Sequence, residues 1–248
     1  MYIAPRFPKL SDCEFYHSFT FADGEVVGQW DLQGNHEAYL GHVNFAGQSV
    51  LEIGPASGFL SFCMERAGAQ VTALEPPMSY LWDVVPSQSV DITAWRKTFS
   101  GRIERVRNSF WYAHAAFKSS VRMIEADPYN MPDTTGQFDV GVLAAVLLHC
   151  RRPFDLLQSV ASRTRKTVVV TEVYNASLGE QAVCAFLPHT GVDQFDTWWH
   201  FSPQFFVSAL GLMGFAKAQV VFHSQPQPSV GGRAVELYTV VCERPDHA

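Results

Sequence analysis

The sequence has few of the features that mark membrane-spanning or nucleic-acid-binding proteins. Its longest apolar run, 140–148, falls far short of the ~20 residues that a membrane-spanning helix needs. Lys and Arg number 18 against 24 Asp and Glu, which gives a net charge of −6 and no general basic field for phosphate groups. These absences predict a chain that does not cross a membrane and for which nucleic acid is a disfavoured partner.

Cysteine is also sparse. The five cysteines form no C-x-x-C pair and the histidines lack metal-ligand spacing, so neither a disulfide framework nor a metal site is indicated. The N-terminal segment has no apolar core of signal-peptide length, which predicts a cytoplasmic protein. With 47% hydrophobic residues, and glycine and proline at ordinary levels, the chain is expected to fold.

Short β-branched runs alternate with helical patterns through most of the chain. Residues 58–68 and 153–164 have the apolar periodicity of amphipathic helices. The runs that read as buried strands are 49–54, 69–76, 121–127, 138–146 and 166–173. This alternation predicts an α/β fold with a Rossmann-like, doubly wound and mostly parallel sheet covered by helices.

The C-terminal third departs from this pattern. A helical segment, 202–214, is followed by two strand-like runs, 218–224 and 234–243, joined by a polar loop rich in Pro and Gly. We therefore expect a seven-stranded sheet that ends in an antiparallel hairpin. Residues 79–120 and 175–201 fit no strand or connector, and long excursions of this kind are typical of functional lids.

A glycine turn joins the first buried strand to the following helix. Gly54 permits a tight turn, and Gly58 lets the helix begin close to a ligand. Glu75 ends the second strand, where a carboxylate can accept both hydroxyls of a ribose. Asp127, after the third strand, could accept from the exocyclic amine of an adenine. Together these positions predict a cofactor that carries a nucleoside.

The glycine spacing also bears on which cofactor it is. The pattern is G-x-x-x-G rather than the dinucleotide pattern G-x-G-x-x-G, which disfavours an NAD-dependent oxidoreductase. Glu52 lies two residues before the first glycine, and a carboxylate there favours a cationic ligand such as S-adenosylmethionine. The predicted cofactor-binding residues are Glu52, Gly54, Pro55, Ser57, Gly58, Glu75, Pro76, Asp127, Pro128 and Ala144.

These motifs resemble those of class I S-adenosylmethionine-dependent methyltransferases. LEIGPASG looks like the first motif of that family, Glu75 like its ribose acid, Asp127 like its adenine acid, and FDVGVLAAVLLHCRRPFDLL like its fourth strand and following loop. The resemblance covers residues 48–175 and, with the terminal hairpin, extends to the end of the chain. It implies a methyltransferase with S-adenosyl-L-methionine as cofactor.

A looser resemblance concerns one branch of that superfamily. The segments FYHSFTFADGEVVGQWD and GFLSFCMERAGAQVTALE are similar to the branch around the tRNA wobble-uridine methyl/carboxymethyltransferases. This resemblance implies the type of reaction more than the substrate. We expect one methyltransferase domain with an N-terminal arm or lid (1–47), a cofactor-binding core (48–175), and a substrate-cap segment with the terminal hairpin (176–248).

Candidate residues for catalysis and acceptor binding lie beside the predicted cofactor site. His149 follows the fourth strand, where a neutral imidazole could take a proton from an attacking hydroxyl or amine; a packing role is the alternative. Glu172 and Tyr174, at the end of the fifth strand, share that edge of the sheet. The predicted substrate-binding residues are Tyr16, His17, Trp30, Tyr174, Trp198, Trp199 and His200.

For the aromatic residues among them, structural roles are the alternative. The arm that carries Tyr16, His17 and Trp30 could close over the cofactor or could be a hydrophobic tether. The two excursions contain Phe110, Trp111, Tyr112, Phe186, Phe195, Trp198 and Trp199, which could roof a small apolar pocket. For Trp198 and Trp199, filling the core is the alternative.

The leading prediction is methyl transfer to an O or N atom of a small molecule with a flat or aromatic portion. Two alternatives remain open at this point. One is tRNA wobble-uridine modification, since aromatic residues can also stack a splayed base. The other is a non-catalytic module that binds S-adenosylmethionine.

Overall fold

The computed structural model describes residues 2–79, 83, 91–188 and 196–245. Within these ranges the chain forms twelve strands and five α-helices. The strands are β1 (Tyr2–Ile3), β2 (Phe19–Phe21), β3 (Gly24–Val26), β4 (Ser49–Ile53), β5 (Gln70–Glu75), β6 (Arg122–Glu125), β7 (Phe138–Ala144), β8 (Thr164–Val173), β9 (Cys184–Phe186), β10 (Trp199–Phe201), β11 (Lys217–Gln227) and β12 (Arg233–Glu243). The helices are α1 (His36–Tyr39), α2 (Phe59–Arg66), α3 (Ile92–Ala116), α4 (Pro153–Ser162) and α5 (Pro203–Leu212).

Eight strands form one sheet in the order β1-β6-β5-β4-β7-β8-β12-β11. The five central strands, β6, β5, β4, β7 and β8, are mutually parallel. In contrast, β12 runs antiparallel to both β8 and β11. The predicted fold class, with its mostly parallel sheet and terminal hairpin, is confirmed. The sheet has eight strands rather than seven, because the two-residue strand β1 pairs antiparallel with β6 at one edge. A pair that short has no recognisable pattern in sequence.

Both faces of the central strands are buried, which explains their continuous apolar sequences. Val50 and Val142 pack into a cluster on one face, whereas Leu51 and Leu143 belong to a second cluster on the other. Helices α2 and α3 contribute side chains to the first cluster, and α4 and α5 contribute to the second. The sheet is therefore enclosed between two helical layers, as the alternation predicts.

Helix α3 occupies most of the excursion 79–120. Asp91 begins the helix as its N-cap, with its carboxylate accepting from the backbone N–H groups of Thr93 and Ala94 at 3.0 Å. Phe110 and Trp111, on the C-terminal half of the helix, are fully buried in the core. These two aromatic residues therefore pack the sheet instead of roofing a pocket, which corrects the sequence-based expectation.

The N-terminal arm is anchored to the core. Phe15, Phe19 and Phe21 are buried against α2 and α3, and Phe19 is only 1% exposed. Glu14 forms ion pairs at 2.8 Å with Arg102 and Arg105 of α3. This anchoring agrees with the tether interpretation for the first part of the arm. Whether the remainder closes on a ligand stays a prediction.

Candidate functional site

A cleft of about 340 Å³ opens at the carboxyl ends of the parallel strands. The turns after β4, β5, β6 and β7 form its floor, the arm covers one side, and α3 lines another. This is the edge at which open α/β sheets bind ligands. Of the predicted site residues, the ones that line the cleft are Tyr16, His17, Trp30, Glu52, Gly54, Pro55, Glu75, Pro76, Pro128, Ala144 and His149.

The glycine turn is held in an unusual backbone conformation. Gly54, Ala56 and Gly58 all have positive φ angles, of 67°, 51° and 84°. A Cβ atom at Gly58 would lie 2.5 Å from Cδ2 of Phe110, so glycine is needed there for close packing as well as for its φ. Ala56 is one of the non-glycine residues in the left-handed region, where strain is typical of functional sites.

Glu75, at the end of β5, has a buried cationic partner that the sequence did not reveal. Nη2 of Arg107 lies 3.6 Å from Oε2 of Glu75, and its Nη1 lies 3.5 Å from Glu125. Arg107 also donates to the backbone carbonyl of Pro76. Burial raises the pKa of Glu75, whereas Arg107 and a backbone hydrogen bond from Ala56 oppose the rise. The acid at the strand end is thereby fixed against the glycine turn.

Glu52 is a nearly fully buried carboxyl group in the floor of the cleft. It is 1% exposed, and its Oε2 accepts a hydrogen bond from Ser61. Burial raises its pKa to about 7, because the charged form loses its hydration. No ion pair to Glu52 occurs within the described ranges, so a cationic ligand would stabilise its charged form.

The arm contacts the glycine turn directly through His17. The backbone N–H of His17 donates to Oγ of Ser57 at 2.9 Å, and its Nδ1 lies 3.2 Å from the same oxygen. A parallel bridge pairs His17 with Trp30, and Ser18 N–H donates to the carbonyl of Trp30 at 2.8 Å. Burial lowers the pKa of His17 to about 3, so its ring is neutral near pH 7.

His149 lies across the cleft, on the turn after β7. Its Nδ1 is 2.5 Å from the backbone carbonyl of Asp196, so Nδ1 carries the proton and Nε2 is the basic nitrogen of the neutral ring. Burial lowers its pKa, which favours that neutral form. The geometry is compatible with a base that borders the cleft.

Glu172 supports this turn from beneath. It is 2% exposed, and its Oε1 accepts from the backbone N–H of Leu148 at 3.2 Å. Burial raises its pKa to about 8, while hydrogen bonds from the backbone of Leu147 and Leu148 oppose the rise. Glu172 thus holds the turn that carries His149, and it is not among the residues lining the cleft.

Several predicted site residues lie outside the cleft lining. Asp127 accepts from the backbone N–H of Tyr129 at 2.9 Å, because a short carboxylate reaches the turn that Asp-Pro begins. Ser57 and Gly58 lie behind the turn, and Tyr174 packs against Phe222 with ring centroids 5.0 Å apart. The predicted residues absent from the lining are Ser57, Gly58, Asp127, Tyr174, Trp198, Trp199 and His200.

The aromatic cluster near the end of the cap segment has a structural position. Trp199 donates from Nε1 to the carbonyl of Cys150 at 2.8 Å, and Trp198 is buried. Phe186 stacks on Trp198 and, like Tyr112, does not line the cleft. Phe195 lies outside the described residues. The aromatic surface of the cleft comes instead from other positions, namely Tyr16, Trp30, Tyr39, Phe99 and Tyr129.

Four cleft residues that sequence reasoning missed are held by tertiary contacts. Asp83 accepts from Tyr129 Oη at 2.6 Å and from Nε of Arg151 at 2.5 Å. Arg107 and Asp196 border the cleft through the pairings given above. These contacts join positions that are far apart in sequence, so no local sequence motif indicates them.

No group of three or more His, Cys, Asp or Glu side chains in the described ranges is arranged to hold a metal ion. No helix in the described part of the chain is long and apolar enough to cross a membrane.

The strand order, with its antiparallel hairpin, is that of a Rossmann-like fold, and solved structures share this fold. The N-terminal domain of EvdMO1, in a structure with SAH bound, has this fold with a TM-score of 0.57 and 20% identity, over 93% of this chain and 92% of that one. A structure of EvdMO1 has a TM-score of 0.56 and 18% identity, over 94% of this chain and 45% of that one. An O-methyltransferase family protein from Burkholderia thailandensis has a TM-score of 0.53 and 12% identity, over 88% of this chain and 57% of that one. No protein-family model matches the sequence, and no curated protein matches it significantly.

Proposed function

We propose that this chain transfers a methyl group from S-adenosylmethionine to an oxygen or nitrogen atom of a small molecule. The observation that carries the proposal is the convergence of Glu52, the glycine turn and Glu75 on one cleft at the carboxyl edge of the sheet. A carboxylate at a strand end suits ribose hydroxyls, and a buried carboxylate suits a cationic ligand. The SAH bound in the EvdMO1 domain, which shares the fold, supports the same choice of cofactor.

The residues present fit such a cofactor. Glu75, held by Arg107, would accept from the ribose hydroxyls, and Glu52 would accept from the cationic amino group. Gly54 and Pro55 would allow the ligand close to the backbone, and Pro128 would border the base. When bound, the cofactor supplies an electrophilic methyl group on a positively charged sulfur. The chain then has to orient the acceptor and exclude water, which provides most of the rate in such displacements.

The remaining wall of the cleft favours a small acceptor with a flat or aromatic portion. Tyr16, Trp30 and Phe99 present aromatic surface, and Gln29 and His149 add polar groups. Nε2 of His149 would accept the proton of an alcohol or phenol as it attacks, or that of a protonated amine before it attacks. EvdMO1, whose N-terminal domain was also crystallised in the presence of D-fucose, gives a precedent for a small molecule in this fold.

The test begins with isothermal titration of S-adenosylhomocysteine and S-adenosylmethionine, followed by transfer of labelled methyl to a panel of phenols, hydroxylated sugars and amines. The expected result is binding of both ligands and enzyme-dependent labelling of a small acceptor. Bulk tRNA from a host lacking this protein serves as the competing substrate, since labelling of a wobble uridine would contradict the small-molecule proposal. Binding without transfer to any acceptor would favour a non-catalytic module.

A further inference from the structure

His17 combines deep burial with one ring nitrogen that has no hydrogen-bond partner in the described part of the chain. The residue is only 6% exposed, and it lines the cleft. Nδ1 is engaged by Ser57, but Nε2 has no hydrogen-bond partner among the described residues. A ring nitrogen that borders a cleft and has no partner among the described residues is available to hydrogen-bond a ligand there.

The contacts of Ser57 determine which ring nitrogen carries the proton. Ser57 is 0% exposed, and its Oγ already accepts from the backbone N–H of His17 at 2.9 Å. The hydroxyl hydrogen needs an acceptor of its own, and the one that the described residues offer is Nδ1 of the same histidine, at 3.2 Å. Nδ1 therefore accepts, and the proton of the neutral ring lies on Nε2. The arm presents a hydrogen-bond donor at the edge of the cleft.

The charges around the cleft decide what this donor can bind. Glu52 and Glu75 occupy the floor and the end of β5, where they would repel an anion and attract hydroxyl or ammonium groups. His17 is attached to the glycine turn on the arm side, away from the Arg107 partner of Glu75. In S-adenosylmethionine the anionic group is the carboxylate at the amino-acid end, and a neutral N–H donor suits it.

We propose that Nε2–H of His17 donates to the amino-acid carboxylate of the cofactor, so that the arm binds the cofactor rather than the acceptor. This proposal rests on the proposed function and refines it. It changes the role predicted for His17, and it makes the arm a wall of the cofactor site that is in place before the acceptor enters. Since Ser57 and Trp30 fix the backbone of His17, the donor itself needs little reorganisation when the rest of the arm closes on the ligand.

The test compares two ligands that differ only in the carboxylate, S-adenosylhomocysteine and its decarboxylated analogue. By titration calorimetry, His17→Phe should weaken S-adenosylhomocysteine by about tenfold to a hundredfold and the analogue by less than about twofold, as expected for one hydrogen bond to a charged group. The matched control is His36→Phe, because His36 packs against the same Phe59 ring as His17, at 6.0 Å against 6.1 Å, without lining the cleft. It should leave both affinities unchanged.

An equal loss for both ligands would show that His17 only packs, and full affinity of the variant for S-adenosylhomocysteine would overturn the donor role. If wild-type protein bound neither ligand, the proposed function itself would be wrong. A measurement on the unmodified chain covers the case of a variant that does not fold. A long-range ¹H–¹⁵N spectrum should show the Nε2–H form of His17, with a resonance that moves on adding S-adenosylhomocysteine and not the analogue. The Nδ1–H form, or equal movement with both ligands, would contradict the proposal.

Discussion

Replacing Glu75 by glutamine is the sharpest test of the cofactor site, because it keeps the shape of the side chain and removes its charge. The glutamine retains one acceptor oxygen for the ribose and loses the other. A hydrogen bond to a charged group contributes roughly 1.5–3 kcal/mol, so the affinity for S-adenosylhomocysteine should fall by about tenfold to a hundredfold. The folded protein should also become less stable, for a separate reason.

That reason is the ion pair with Arg107. At the 3.6 Å between Glu75 and Arg107, two unit charges attract by about 5 kcal/mol at an effective dielectric constant of roughly 20, most of which offsets the desolvation of two buried groups. Without Glu75, the buried guanidinium of Arg107 still has an ion pair with Glu125, whose side chain is 39% exposed. We expect a loss of about 1–3 kcal/mol in the free energy of unfolding of the ligand-free protein. Glu125→Gln is the matched control, and its loss should be below about 1 kcal/mol.

The assay is a double-mutant cycle between the protein and the ligand. Wild-type protein and Glu75→Gln are titrated with 5′-methylthioadenosine and with its 2′,3′-dideoxy form. Wild-type protein should prefer the ligand with both hydroxyls, and in the variant this preference should shrink by about tenfold to a hundredfold, because one acceptor oxygen remains; the comparison separates the ribose contact from any general loss of structure. If Glu75→Gln kept the full preference for the hydroxyls, the assignment of Glu75 to the ribose would be refuted.

Further predictions concern the turn, the sheet edge, the base and the arm. Gly58→Ala should destabilise the fold by about 2–4 kcal/mol in denaturant unfolding, because its Cβ meets Phe110 in a left-handed backbone conformation; wild-type stability would contradict this. The folded pKa of Glu172 is raised to about 8, so the stability that it contributes is fully present below its unfolded pKa and is lost as the pH rises through 8. Glu172→Gln should therefore raise the Tm near about pH 9 and not near about pH 5, whereas equal shifts at both would exclude the titration. His149→Gln should keep S-adenosylhomocysteine binding and lower kcat by about 10²- to 10⁴-fold on an acceptor that must lose a proton, and an unchanged kcat would exclude the base. Amide hydrogen exchange of residues 14–31 should slow on adding S-adenosylhomocysteine, and identical exchange would remove the closure hypothesis.

The parts of the fold that follow from sequence are those whose burial is local and continuous. Strands such as β4 and β8 are buried on both faces, so their apolar runs are visible without knowing their neighbours. Helix α3 was missed because its buried residues lie in the C-terminal half, Val106 to Ala113, while its first turns mix polar and apolar residues, none of which is fully buried. Its Asp91 cap, followed by the spacing of Val106 and Phe110, is the signal that could have found it.

The site divides in the same way. The glycine turn and Glu75 follow from position alone, since the ends of parallel strands meet at one edge. Arg107 and Asp196 reach the cleft by contacts that span many residues, and their local sequence is ordinary. Asp127 shows a contact that position alone does not reveal. Its place at a strand end predicts an adenine contact, which stays a prediction, and the structure adds that its Oδ1 accepts from the backbone of its own turn.

Three buried carboxyl groups at the sheet edge connect the stability of the chain with its proposed chemistry. Glu52, Glu75 and Glu172 are all largely buried, and of the three only Glu75 has a cationic partner among the described ion pairs. Burial raises the pKa of each, and for Glu52 and Glu172, which have no cationic partner among the described ion pairs, this means that the charged form opposes folding. Glu172 is explained by the turn that it holds, since it accepts backbone N–H groups there. Glu52 has only Ser61, and packing alone would be better served by an apolar residue at that position. A group that the fold does not explain, at the edge where this class of sheet binds ligands, is best explained by a ligand that brings positive charge.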